Sequence, residues 1–265
     1  MGDISNNKME IPKMFMGRKR EPGAIERILK TDPQVPENKP NPFQVTAPKN
    51  LDGSKYIRIP GTNFLIAKEE THKGKNWNDA QYALSDEGLF MPSPALFLPY
   101  FVNVRDANQG KVQLYDGNNI PLSKPETEDL WKYLSTAHRS GCWTWLDALF
   151  VPTTAGFDLQ TNHRVKTTNG KKELVGQRFN LEAHAGEDCF VNLDFNSQGL
   201  PKSKSSNQNY SQGDNIYFYQ PRANCVAGFG AITDWAGLGC SGGPSGSGAG
   251  LGVFATAEGR SQTKT

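Results

Sequence analysis

The residues best placed to do chemistry stand late in the chain, in Gly239-Cys240-Ser241-Gly242-Gly243-Pro244. A serine set among glycines is open to a carbonyl substrate, provided that a histidine takes its proton and a carboxylate orients that histidine. His138, in Ser135-Thr136-Ala137-His138, precedes Ser241, and Asp188 and Asp194 are carboxylates that could serve it. Glycine-rich backbone can also cradle phosphate, but the Lys-Ser/Thr pair that completes such a loop is missing and no helix pattern follows. Metal chemistry has less to draw on. Cys142, Cys189, Cys225 and Cys240 form no C-x-x-C pair, and His72, His138, His163 and His184 are scattered without ligand spacing. Neither a metal nor a cofactor is expected.

Composition narrows the partners. The 265 residues carry 29 Lys+Arg and 27 Asp+Glu, a net charge of +2, so no large field draws the chain to nucleic acid or an anionic membrane. Arg18-Lys19-Arg20 is too short a run to change that. No stretch approaches the roughly 18 apolar residues of a membrane helix, so no membrane insertion is expected. The start, Met1-Gly2-Asp3-Ile4-Ser5-Asn6, has no basic-then-apolar signal pattern and lacks the Ser or Thr at position 6 of a myristoylation site. With 36% hydrophobic residues the chain can build one sizeable core.

Elements that would position these residues can be read in order. Residues 1–50, with seven prolines, form a polar N-terminal arm. A hairpin follows, Tyr56–Ile59 and Phe64–Ala67 around Pro60-Gly61-Thr62-Asn63. Asn76 caps a helix with Trp77, Ala80, Ala83 and Leu84 on one face, stopped at Gly88. Ser93-Pro94 opens a second helix, in which Pro99 predicts a kink or an early end. A third helix opens at Pro125 and carries Leu130, Trp131 and Leu134. After Cys142 the pattern becomes short strands and turns: a core strand at Trp143–Val151, an exposed insert at 152–180 turning at Thr168-Asn169-Gly170, a half-buried strand at Cys189–Phe195, a polar loop at 201–214 and a strand at Ile216–Tyr219. The fold class is α+β. The domain runs from 51 to 257, and 258–265 is a polar tail.

Residues 226–256 are unlike the rest. They hold ten of the chain's 27 glycines and one charged residue, Asp234. A flexible linker would account for Gly and Ser, but Phe229, Ala231, Ala236, Leu238, Cys240, Leu251, Val253 and Phe254 recur among them. Several alternate with glycine, in Gly237-Leu238-Gly239-Cys240 and again, with small residues, in Ser245–Gly250. A period of two predicts strands with one side packed and the other stripped of side chains.

Two resemblances follow. Gly239–Pro244 resembles the nucleophile loop G-D-S-G-G-P of chymotrypsin-like proteases, which implies a hydrolase using Ser241 and His138. Here Cys240 replaces the Asp of that loop, and helices precede it where that fold has a β-barrel. The wider likeness lies elsewhere. Trp77-Asn78-Asp79-Ala80 with Gly88-Leu89-Phe90-Met91-Pro92-Ser93-Pro94 resembles the two-helix entry of C-type lectin-like folds. The window Phe229-x-Ala231, Ala236-x-Leu238-x-Cys240, Leu251-Gly252-Val253-Phe254 is similar to the variable region of diversity-generating retroelement proteins, in their archaeal or archaeal-virus members.

This second resemblance covers residues 51–257 apart from the insert. It implies two helices near the start, short mixed strands, and a variable surface at 226–256. In that family adenine-directed reverse transcription rewrites selected codons, and an Asn codon so changed yields Gly, Ser, Thr, Ile or Asp but never a stop. The implied variable, ligand-binding positions are Gly230, Ile232, Thr233, Asp234, Trp235, Gly237, Gly239, Ser241, Gly242, Gly243, Gly246, Gly248 and Gly250; Trp235 does not follow from an Asn codon. The implied function is non-catalytic display, on a cell or virion surface, toward a macromolecular ligand such as a protein. Within the window only Trp235, Ile232 and Asp234 offer anchors, which predicts weak binding by this copy. Trp77-Asn78-Asp79 spells a lectin calcium tripeptide but opens a helix, so no calcium site is expected there. The related formylglycine-generating fold needs a closely spaced reactive cysteine pair; Cys225 and Cys240 are expected to be structural thiols instead.

Overall fold

The computed structural model describes residues 48, 50–136, 142–232 and 234–259. The arm therefore lies outside the described residues except for Pro48 and Asn50, as do His138, Thr233 and all of the tail after Gly259.

The first hairpin forms where expected. Tyr56–Arg58 (β1) pairs antiparallel with Phe64–Ala67 (β2), with Ile57 opposite Ile66. Gly61 supplies the positive φ that the turn needs. The other edge of β2 takes Thr256–Glu258 (β11), giving a three-stranded sheet β1-β2-β11.

Three helices follow. Trp77–Asp86 (α1) starts at Asn76, whose side chain accepts from the Asp79 N–H at 2.8 Å, and it buries Trp77, Ala80 and Leu84. Pro94–Asn108 (α2) has Pro at its first turn and runs for 15 residues through Pro99, which corrects the expectation of an early end. Pro99 is exposed, while Phe97, Tyr100, Phe101 and Val104 bind the opposite side to the core, and that packing outweighs one missing backbone bond. Lys124–Ser135 (α3) opens with a capping box: the Glu126 carboxylate accepts from the Ser123 N–H at 2.9 Å, and Ser123 Oγ from the Glu126 N–H at 3.4 Å.

The remaining strands build one large sheet. They are Cys142–Thr153 (β3), Gly156–Thr168 (β4), Lys171–Asn180 (β5), Cys189–Asn192 (β6), Asn215–Tyr219 (β7), Cys225–Ile232 (β8), Trp235–Gly242 (β9) and Leu251–Gly252 (β10). Their order is β5-β4-β3-β8-β9-β7-β6, with β10 running parallel beside the start of β3. The chain is thus a mixed α+β fold, mostly sheet.

Three sequence expectations change here. Strands β3, β4 and β5 are 12, 13 and 10 residues long, not short. The insert is a continuation of the main sheet; its turn at Asn169-Gly170 is as expected, but its base is buried. At that base β3 and β4 both slip register, and the slips bring Asp147 against His163. The carboxylate accepts from the His163 backbone N–H at 2.9 Å, meets His163 Nδ1, and accepts from Gln81 of α1 at 3.1 Å. Finally, Ser245–Gly250 is turn and irregular chain, since alternation of Gly with Ser gives a strand nothing to pack.

Helices α2 and α3 cover the inner face of the large sheet. Phe97 and Phe101 each stand 5.1 Å from Phe229, Phe101 lies 5.4 Å from Trp131, and Phe97 lies 5.7 Å from Phe254. Phe229, Ala231, Ala236, Leu238, Cys240, Val253 and Phe254, the apolar residues of the glycine-rich window, are all fully buried; Leu251 is half-buried.

Candidate ligand-binding face

A strand that turns alternate residues inward must turn the others outward. On β3 the inward set is Cys142, Thr144 and Leu146, leaving Trp143 and Trp145 on the outer face; on β7, Ile216 and Phe218 leave Tyr217 and Tyr219. The same parity on β8 and β9 puts Gly228, Gly230 and Ile232, and Trp235, Gly237, Gly239 and Ser241, outward.

Strand register then aligns these residues in rows. Trp143 is opposite Gly230, Gly230 opposite Gly237, Gly237 opposite Tyr217, and Tyr217 opposite Phe190. The next row runs Trp145, Gly228, Gly239, Tyr219. In both rows the two middle strands contribute glycine and the flanking strands contribute rings. The result is a trough of about 630 Å³, floored by backbone and walled by Trp143, Trp145, Trp235 and Tyr219, with Ser241, Gly248 and Gly250 at its margin. Among the described residues, no charged side chain lines it.

The rings form a continuous series. Trp143 and Trp235 have centroids 5.8 Å apart, Trp235 and Tyr219 6.3 Å, Tyr219 and Tyr217 4.8 Å, and Tyr217 and Phe190 5.0 Å. Trp143 is 39% exposed and Tyr219 37%, large values for rings of this size. Trp145 is held differently: its indole N–H donates to the Lys75 carbonyl at 3.1 Å and its ring is buried.

The sequence-predicted variable positions fall into three groups. Ile232, Asp234, Trp235, Gly239 and Ser241 are exposed or half-buried on or beside the outer face. Gly242 ends β9, and Gly243, Gly246, Gly248 and Gly250 lie on the segment that leads to β10. Gly230 and Gly237 are buried, which corrects their placement among the exposed positions: the Trp143 and Trp235 indoles lie on them. Thr233 lies outside the described residues. Sequence reasoning missed Phe190, Trp143, Trp145, Tyr217, Tyr219 and Gly228. The signal for the two tryptophans and two tyrosines was present, as period-two spacing on strands already recognised, but it points outward only once the strands are seen to be neighbours. Those rings, outside the window, stand beside the three anchors that the window itself offers.

Of the residues proposed for hydrolysis, Ser241, Asp188 and Asp194 are described and His138 is not. Ser241 is half-buried on the outer face, and Cys240 before it points into the core, where burial pushes its thiol pKa well up and keeps it inert. Asp188 accepts from the Gln220 N–H at 2.8 Å and from Arg222 at 3.5 Å; Asp194 pairs with Lys202 at 2.9 Å. Of the described histidines, His72 pairs with Glu87, His163 with Asp147, and His184 with the Glu182 carbonyl. All four cysteines are free, and Trp77 of the calcium-like tripeptide is buried with its indole N–H on the Leu146 carbonyl at 2.9 Å.

A second polar group lies behind the trough. The Glu70 carboxyl is fully buried, accepts from Tyr133 Oη at 2.9 Å and from the Cys142 thiol at 3.6 Å, and faces Lys73 at 3.8 Å. Burial raises its pKa to about 7 against the opposing effect of those donors. It is tied to the first residues of β3, and Gly252 of β10 packs against its Cβ. Among the described residues, no group of three or more His, Cys, Asp or Glu is arranged to hold a metal ion. No family model, no curated protein and no solved structure matches this chain.

Proposed function

We propose that this chain is a ligand-binding display protein whose recognition surface is the outer face of β3, β8, β9 and β7 together with residues 243–250. Its ligand is a macromolecule, a protein or a cell-surface component, and its selected codons are rewritten by adenine-directed mutagenesis. The fold that would carry this is of C-type lectin type, enlarged by the β4–β5 hairpin, and its site of action would be a cell or virion surface. Binding alone, without catalysis, is the activity.

The observation that carries this reading concerns the glycines. None of the ten in 226–256 has a φ in the left-handed region that only glycine adopts readily. Turn conformation therefore does not explain their number. Gly228, Gly230, Gly237 and Gly239 lie on the outer face, Gly242 ends β9, Gly243, Gly246, Gly248 and Gly250 lie on the connecting segment, and Gly252 is buried on β10, while the alternating Phe229, Ala231, Ala236, Leu238 and Cys240 of β8 and β9 are buried. Wholesale replacement is tolerable only where side chains are uncovered, because exposed changes stay within about ±0.5 kcal/mol and buried ones cost several. The flanking rings of Trp143, Tyr217 and Tyr219, outside the window, give any variant a stock of contact area of the kind that dominates interfaces.

Sequencing the coding locus in many copies tests this. A nearby near-copy of the 226–256 segment differing only at adenines, beside a reverse transcriptase gene, is the expected result. A single, invariant segment without such a template would overturn the diversification.

A further inference from the structure

We infer that the glycines of this face belong to two sets: Gly230 and Gly237 are framework that seats the indoles of Trp143 and Trp235, whereas Gly239, Gly243 and Gly248 are the positions at which a side chain is displayed to the ligand and sets specificity. This rests on the binding reading above and divides its surface.

Since none of these five has left-handed backbone, space alone decides what each can carry. A Cβ at Gly237 would stand 2.7 Å from the Tyr217 carbonyl oxygen and 2.6 Å from the Trp235 ring. The ring can turn, but the carbonyl is fixed by the parallel pairing of β7 with β9. The atoms nearest to a Cβ at Gly230 all belong to the Trp143 ring, the first at 2.5 Å, so a side chain there must lift that indole off the sheet. The other three are open. At Gly239 the nearest atoms are 3.8 and 4.0 Å away, at Gly248 the nearest is Leu251 at 3.7 Å, and around Gly243 nothing lies within 4 Å.

The two sets have different consequences for recognition. A side chain at 239 enters the trough from its floor, in the row that holds Trp145 and Tyr219. Side chains at 243 and 248 stand on the segment at its margin. A side chain at 237 would displace Trp235 and break the ring series in its middle. Variants that retain Gly230, Gly237, Trp143 and Trp235 therefore keep the same seated indoles and differ in what surrounds them.

The full chain carrying Gly→Asn or Gly→Tyr at 237, 239, 243 or 248 tests the division, read by thermal unfolding and by the near-ultraviolet circular dichroism of the tryptophans. At 239, 243 and 248 the Tm is expected to stay within about 2 °C of the parent, with the spectrum retained. At 237 the Tm is expected to fall by about 4–10 °C, the cost of forcing atoms into filled space, with the Trp143–Trp235 signal altered. For Gly230→Asn, the second change Trp143→Ala is expected to restore the lost Tm. A Gly237→Asn chain with parental Tm and spectrum would overturn the inference, as would Gly239→Asn failing to fold. Failure of the binding reading shows elsewhere, as an invariant coding segment, and leaves these unfolding results intact.

Discussion

Strands β8 and β9 have two faces that share one backbone and differ in almost everything else. The inner face carries Phe229, Ala231, Ala236, Leu238 and Cys240, all buried under α2 and α3. The outer face carries Gly228, Gly230, Gly237, Gly239 and Ser241, and among the described residues no helix covers it. Neither face owes its character to backbone conformation, because the same extended residues serve both. The cover makes the difference. Where helices pack, each side chain is specified by its neighbours; where they do not, the sheet imposes only the limits of its own carbonyls and rings.

That contrast can be broken most forcefully from inside. Phe229→Ala removes a ring in contact with Phe97 and Phe101, and urea unfolding is expected to show a loss of about 3–5 kcal/mol. An outer-face change of equal cost would erase the distinction. The next effect is pH-dependent and sits at the start of β3, where the faces meet. Glu70 has a folded pKa of about 7 against 4.5 when free. Its unfolded form therefore ionises first, so its stabilising contribution is full below about pH 4.5 and is lost as pH rises to about 7. Across that window the loss is about 3 kcal/mol. Glu70→Gln is expected to flatten this part of the profile, measured as the difference between parent and variant unfolding at pH 5 and pH 8.

Smaller effects refine the comparison. The Tyr100 hydroxyl is buried on the inner side with no hydrogen-bond partner among the described residues. Tyr100→Phe is expected to raise stability by about 1 kcal/mol, whereas loss of stability would show that the hydroxyl has a partner. On the open side, Gly243→Ser is expected to shift stability by no more than about 0.5 kcal/mol in the same assay.

Local structure was legible wherever one residue type has one physical use. Asn76, Ser93-Pro94 and Gly88 marked helix ends, and Asn169-Gly170 marked a turn, because caps and turns depend on a few adjacent atoms. The alternation of Phe229–Cys240 likewise gave the buried set of the window. The rest depends on which strands become neighbours. Trp143 and Tyr217 lie 74 residues apart in sequence yet belong to one row, and only the order β3-β8-β9-β7 puts them there. The same order explains why Gly230 and Gly237 are buried: their cover comes from rings whose position the local pattern does not reveal. Pro99 shows the opposite failure, a correct local cost outweighed by packing.

On the proposed function, the way the domain closes has a bearing on how diversity would be inherited. Strand β11 completes the sheet begun by β1 and β2, β10 lies beside β3, and Val253 and Phe254 fill the core between them. All of these residues come after Gly250, the last of the proposed variable positions. A chain whose translation shifts frame or stops before Gly250 would leave β2 paired with β1 alone and the core without Phe254. On the proposed display function, completion of the fold would act as a reading-frame check, admitting only variants in which the whole segment has been read through correctly.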